Sequence, residues 1–168
     1  EANGASNVIA FNLADGVSVG SGSQNAISRN SIFSNSGLGI DLDPNGVTAN
    51  DPCDSDTGAN TLQNFPVLTS ATAGATSMTI QGTLNSTANT RFTVEFFANA
   101  SCDPSGYGEG QTFIGSTTVT TDASCNASIN VTFPTTITGV QCLTATATDP
   151  NNNTSEFSQC LQVQGACN

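Results

Sequence analysis

The chain contains no histidine, no lysine and no tryptophan, and its two arginines stand against thirteen Asp and Glu in 168 residues, for a formal net charge of -11. Each absence closes off some chemistry. Without histidine there is no Ser-His-Asp or Cys-His machinery and no imidazole metal ligand. Without lysine there is no Schiff base, no phosphate-loop lysine and no Lys-Asn isopeptide cross-link. Two cations cannot neutralise a phosphate backbone, and an anionic membrane surface repels the chain, so nucleic acid and membrane partners are set aside. Apolar runs are short, far below the roughly 18 residues that suggest a membrane span.

What is present is mostly Ser, Thr, Asn and Gly, with charged residues at only 9%. Six cysteines, Cys53, Cys102, Cys125, Cys142, Cys160 and Cys167, form an even set without the close C-x-x-C spacing that zinc prefers. Three disulfides and an oxidising compartment are therefore expected, which places the protein outside the cell or on its surface. Glu1 opens in mid-pattern, as in a chain trimmed of a leader or taken from a longer one.

The first 46 residues repeat. Asn7-Val-Ile-Ala-Phe-Asn12 followed by Gly16-Val-Ser-Val19 recurs as Asn30-Ser-Ile-Phe-Ser-Asn35 followed by Gly39-Ile-Asp-Leu42, an offset of 23 residues. Asn25-Ala-Ile-Ser-Arg-Asn30 reads as a third side of the same coil. Short β segments with single inward apolar residues, separated by Asn and Gly at fixed offsets, describe a right-handed parallel β-helix stub of about two coils over 1–46. It should stack Ile9 on Ile32 and Val17 on Ile40.

Residues 47–65, rich in Pro, Asn, Gly and Asp, form an acidic seam. From residue 66 to 168 the pattern changes to period-two strands, near 67–70, 77–84, 90–98, 111–120, 126–133, 140–148 and 157–164. Phe92, Val94 and Phe96 alternate with Arg91, Thr93, Glu95 and Phe97. Ile129, Val131 and Phe133 alternate with Ser128, Asn130 and Thr132. Seven short strands without a credible helix predict an all-β chain ending in an immunoglobulin-like seven-stranded β-sandwich.

Several stretches are similar to ones in bacterial secreted and cell-surface proteins that follow a right-handed parallel β-helix with an Ig-like module. They are Gly37-Leu-Gly-Ile-Asp-Leu42, Gln63-Asn-Phe-Pro-Val-Leu68, Val94-Glu-Phe-Phe-Ala98, Asp103-Pro-Ser-Gly-Tyr-Gly-Glu-Gly-Gln-Thr-Phe-Ile114 and Ala147-Thr-Asp-Pro-Asn-Asn-Asn-Thr-Ser-Glu-Phe157. The resemblance implies architecture and location, and an adhesin-like or structural role with no catalytic set. Cys125 and Asn152 stand where such proteins usually carry Gly.

Asp41, Asp43, Asn45 and Gly46 match the first half of a calcium loop, but its twelfth position is Pro52; Asp51, Asp54 and Asp56 could supply the missing carboxylate. Asx turns account for the same residues. Asp149, Asn151, Asn153 and Glu156 form a weaker cluster. An enzyme here would have to use carboxylates such as Glu95, Glu109 and Glu156. Arg29 is alone as a base in the repeats and Tyr107 alone as a sugar platform, so no catalysis is expected. Sequons occur at Asn85, Asn99, Asn126, Asn130, Asn152 and Asn153.

The expected disulfides are Cys142–Cys160, placed opposite each other by a hairpin centred on Asn151, then Cys53–Cys102 and Cys125–Cys167, with an intersubunit bond by Cys167 as the alternative to the last. The expected role is a non-catalytic extracellular structural module that self-assembles through Val8, Ile9, Phe11 and Val17 of the stub into a filament or surface structure. The other reading is an adhesin or polysaccharide-binding module of a longer surface protein. Calcium is the one cofactor the sequence suggests.

Overall fold

The computed structural model describes residues 6–134 and 142–165. The described chain is all-β, and no helix in it is long and apolar enough to cross a membrane. Its first part holds four three-residue strands, β1 (Val8–Ala10), β2 (Val17–Val19), β3 (Ser31–Phe33) and β4 (Ile40–Leu42). β1 pairs in parallel with β3 and β2 with β4, setting Ile9 beside Ile32 and Val17 beside Ile40 in the register of the 23-residue repeat. The segments are short because each side of a repeat contributes one inward apolar residue before an Asn or Gly corner turns the chain.

Residues 66–165 form two sheets packed face to face. β5 (Val67–Ala73), β6 (Ser77–Asn85) and β9 (Asn126–Pro134) make one, in the order β5-β6-β9. β7 (Arg91–Asn99), β8 (Thr112–Thr120), β10 (Cys142–Thr148) and β11 (Leu161–Gln162) make the other, in the order β11-β10-β7-β8. Met78, Ile80, Val94, Phe96, Ile129, Leu143 and Ala145 meet between the sheets, the side chains that the period-two pattern turns inward. The predicted 157–164 strand shrinks to β11. Val140 and Gln141, at the start of the strand expected over 140–148, lie outside the described residues.

The two parts are not separate units. Glu95 and Phe97, on the outward face of β7, are buried beneath the repeats, and Phe97 joins Val19, Ile32, Ile40, Leu42, Ala59 and Phe157 in a second core. Ile32 N–H donates to the Gly110 carbonyl (2.9 Å) and Gly110 N–H to the Ile32 carbonyl (2.8 Å), so β3 continues onto the sandwich. Alternation located these side chains correctly; a single sequence does not reveal that their face has a lid.

The Phe157 ring lies against Gly39, Gly108 and Gly110, where a Cβ on Gly39 or Gly110 would come within 2.8 Å and 2.5 Å of it. Cys125 (φ 69°) and Asn152 (φ 69°) both hold left-handed backbone, the property that makes Gly the usual occupant of such turns.

Candidate functional site: a carboxylate-closed end and an open end

Along the repeats the bonds onto asparagine Oδ1 run in one direction, while Asn35 Nδ2 and Asn60 Nδ2 also donate back to the Ile9 (3.2 Å) and Asn25 (2.8 Å) carbonyls. Asn7 donates from its backbone N–H (3.1 Å) and Nδ2 (3.0 Å) to Asn30 Oδ1. Asn12 does the same to Asn35 Oδ1, at 3.2 Å and 2.7 Å. Asn25 does so to Asn60 Oδ1, both at 3.0 Å; the 23-residue partner of Asn25 is Thr48, and Asn60 of the seam replaces the missing amide. The ladder therefore has a donor end, facing the sandwich, and an acceptor end at the first repeat.

Three buried carboxylates meet the donor end. Glu95 accepts from Ser28 Oγ (2.7 Å) and Arg29 N–H (2.9 Å), with the Arg29 guanidinium at 3.7 Å. Glu109 accepts from Asn35 Nδ2 (2.7 Å) and Asn35 N–H (3.2 Å). Glu156 accepts from Leu42 N–H and Thr48 N–H, each at 3.0 Å. A carboxylate has only acceptor sites, so it ends a row of N–H donors without demanding another partner. Burial pushes Glu109 up from the ordinary carboxylate range and Glu156 up to about 7. The three residues that an enzyme reading would have used are thus the fasteners between repeats and sheet.

The first repeat has no such closure among the described residues. Among the described residues no donor reaches Asn7 Oδ1 or Asn12 Oδ1, and β1 and β2 each pair on one edge only. Val8 is 71% exposed, Phe11 76% and Leu13 96%. Of the expected assembly residues, Val8 and Phe11 face solvent, whereas Ile9 and Val17 turn to the second core. Leu13 was missed because it falls at a corner, outside the strand pattern.

The cysteines pair differently from expectation. Cys102 bonds Cys160, and among the described residues Cys142 is a buried free thiol. The hairpin register holds at Thr148–Thr154 but has slipped by two residues at Cys142–Gln162. Between them Glu156 and Phe157 are drawn off to the repeats, while Ser155 Oγ and Ser158 Oγ accept the Ala147 and Ala145 N–H groups. Cys53 bonds Cys125, not Cys102, because the seam crosses the end of β6, where Cys53 N–H donates to Asn85 Oδ1 and Ser86 N–H to the Cys125 carbonyl. The predicted Cys125 partner, Cys167, lies outside the described residues.

The calcium half-loop does not converge. Asp41 Oδ1 accepts Gly46 N–H (2.8 Å) to close a turn, while Asp43 and Asn45 are exposed. Carboxylate oxygens of Asp51, Asp54 and Asp56 do come within 4.8 Å of one another. There burial, with neighbouring acids adding to it, pushes Asp54 up to about 6, and burial followed by Asp51 raises Asp56. The weaker cluster is likewise a turn: Asp149 takes the N–H groups of Asn151 and Asn153 and the Asn153 amide, and Glu156 points elsewhere.

Among the sequons, Asn99 and Asn153 are buried with Nδ2 bonded to Thr144 Oγ1 and Asp149 Oδ2. Asn126, Asn130 and Asn152 are exposed, and Asn85 is half-buried. Tyr107 packs edge-on against Phe65 and is no open platform. No protein-family model matches the chain.

Proposed function

We propose that the chain is a non-catalytic extracellular structural module, a short right-handed parallel β-helix closed at one end by an immunoglobulin-like sandwich and open for assembly at the other. The observation that carries this reading is the polarity of the Oδ1 ladder, ended by Glu95, Glu109 and Glu156 on one side and without a donor among the described residues at Asn7 and Asn12 on the other. The order β5-β6-β9 facing β11-β10-β7-β8 supports the immunoglobulin-like part. The two disulfides support an oxidising location.

Polarity also selects the partner. A second copy stacked head to tail would have to offer the donor face of its second repeat, and its own glutamates already occupy that face. The fitting partner is a further repeat in 23-residue register, presenting Asn amides to Asn7 and Asn12 and covering Val8, Phe11 and Leu13. A stacked repeat would shelter these side chains in part, since the counterparts one repeat on are half-buried at Ser31 and exposed at Ser34 and Ser36. Self-association of copies would instead run edge to edge through β1. A polysaccharide reading has less support, since the groove of about 470 Å³ between Asp15, Gly37 and Asp103 has no aromatic residue in its lining. A divalent cation, if this module holds one, belongs at Asp51, Asp54 and Asp56.

The test is to fuse one repeat of the same pattern before Asn7, in register, and compare it with a fusion shortened by one residue. The in-register fusion should melt several degrees higher, and the shortened one should not. Equal melting temperatures would remove the assembly surface from the account, and stable dimers of the unfused chain through β1 would give self-association precedence.

A further inference from the structure

Cys142 is 1% exposed, yet it is not an isolated thiol. The sulfurs of Cys102, Cys142 and Cys160 all fall within 4.8 Å of one another. The Gln162 amide reaches the same group, with Nε2 3.5 Å from Cys142 Sγ and 3.6 Å from Cys102 Sγ. The two-residue slip in the β10–β11 register creates the arrangement: it moves Cys160 away from its place opposite Cys142 and leaves three sulfurs at one sheet corner.

We propose that this corner is a thiol–disulfide exchange site, in which Cys142 displaces Cys160 from Cys102. The Cys142 thiolate attacks Cys102 Sγ; a Cys142–Cys102 bond forms, the Cys102–Cys160 bond breaks, and the electron pair leaves on Cys160 Sγ. Cys160 takes up a proton in place of the one Cys142 gave up. Two thiol-level electrons are neither gained nor lost, so no oxidant or reductant is needed.

The exchange moves the free thiol from a buried strand position to Cys160, which is part-exposed immediately before β11. A thiol there is open to alkylation or to a mixed disulfide with an outside disulfide; the thiol at Cys142 is closed to both. Gln162 is a positioning residue, its amide N–H group stabilising negative charge as it passes between sulfurs. The consequence is a latent covalent attachment point on the sandwich, independent of the open end of the repeats.

The test uses the full chain, folded, with N-ethylmaleimide as the probe and peptide mapping under acid quench. Hours of labelling at pH 8 should place the label on Cys160 and reveal a matching Cys102–Cys142 disulfide. Cys142→Ser should abolish the Cys160 label and leave Cys102–Cys160 intact, and Gln162→Leu should slow Cys160 labelling several-fold at unchanged melting temperature. Label at Cys142 alone, Cys102–Cys160 as the single pairing found for those two residues, or a Cys142–Cys167 disulfide would each overturn the proposal. Since Cys142→Ser removes a buried thiol, its circular dichroism and melting curve confirm that the variant is folded.

Discussion

Glu156 offers the sharpest perturbation of the closed end. Its carboxylate accepts two backbone N–H groups, from Leu42 and Thr48, and burial lifts it from 4.5 to about 7. A folded-state value above the unfolded one means that the folded protein holds the extra proton between these limits. Stability from this group is therefore fully present below about pH 4.5, falls as pH rises, and levels off above about pH 7. At about 1.4 kcal/mol per unit the fall is at most about 3 kcal/mol, and about 1–3 kcal/mol after allowing for solvent screening at the Thr48 side. Asp54, raised to about 6, contributes to the same window, so the wild-type slope alone does not isolate Glu156. Glu156→Gln does. Its Oε1 keeps one of the two N–H groups while its amide nitrogen leaves the other without an acceptor, so the variant should cost about 1–3 kcal/mol at pH 5, with a deficit that narrows toward pH 8 as the wild type loses stability. Urea unfolding at half-unit steps from pH 4.5 to 8.5 gives both curves. Parallel curves for wild type and variant, or a wild-type stability that rises over this range, would refute the reasoning.

Phe157→Ala removes the ring that fills the space over Gly39, Gly108 and Gly110, and should cost about 3–5 kcal/mol in urea unfolding while the intersheet core stays intact. Removing the Cys53–Cys125 bond by a double Ser substitution opens a link between residues 72 apart and should lower stability by about 4 kcal/mol, with the seam near Asp51–Asp56 becoming the first site of protease cleavage. If the acidic cluster holds calcium, millimolar calcium should raise the melting temperature at pH 7.5, and Asp54→Asn should erase the rise; Asp43→Asn, on an exposed turn, should leave it unchanged.

The sequence was most legible where one residue type serves one local purpose. The 23-residue offset located β1 to β4 and their register, because each repeat buries its Ile or Val against the same position of the next. Alternation located six of the sandwich strands for the same reason. Glu95, Glu109 and Glu156 were visible only as carboxylates on strands and loops. Their role depends on which backbone amides lie opposite them, 66 to 114 residues away in the chain, and no local pattern encodes that. The disulfides failed similarly. The hairpin about Asn151 begins in the expected register, but Glu156 and Phe157 leave it for the repeats, and two residues of slip suffice to exchange Cys160's partner.

Site-resolved amide hydrogen exchange tests the central claim, that the repeats are closed at the sandwich and open at the first turn. The amides of Ile32, Asn35, Leu42 and Thr48, which donate to Gly110 or to the buried glutamates, should exchange through openings within about 1–2 kcal/mol of global unfolding. Residues Val8 to Leu13 should exchange orders of magnitude faster, and an in-register repeat fused before Asn7 should slow them toward the values of the second repeat. Equal protection of both repeats in the unfused monomer, or rapid exchange at Asn35 and Leu42, would contradict the account.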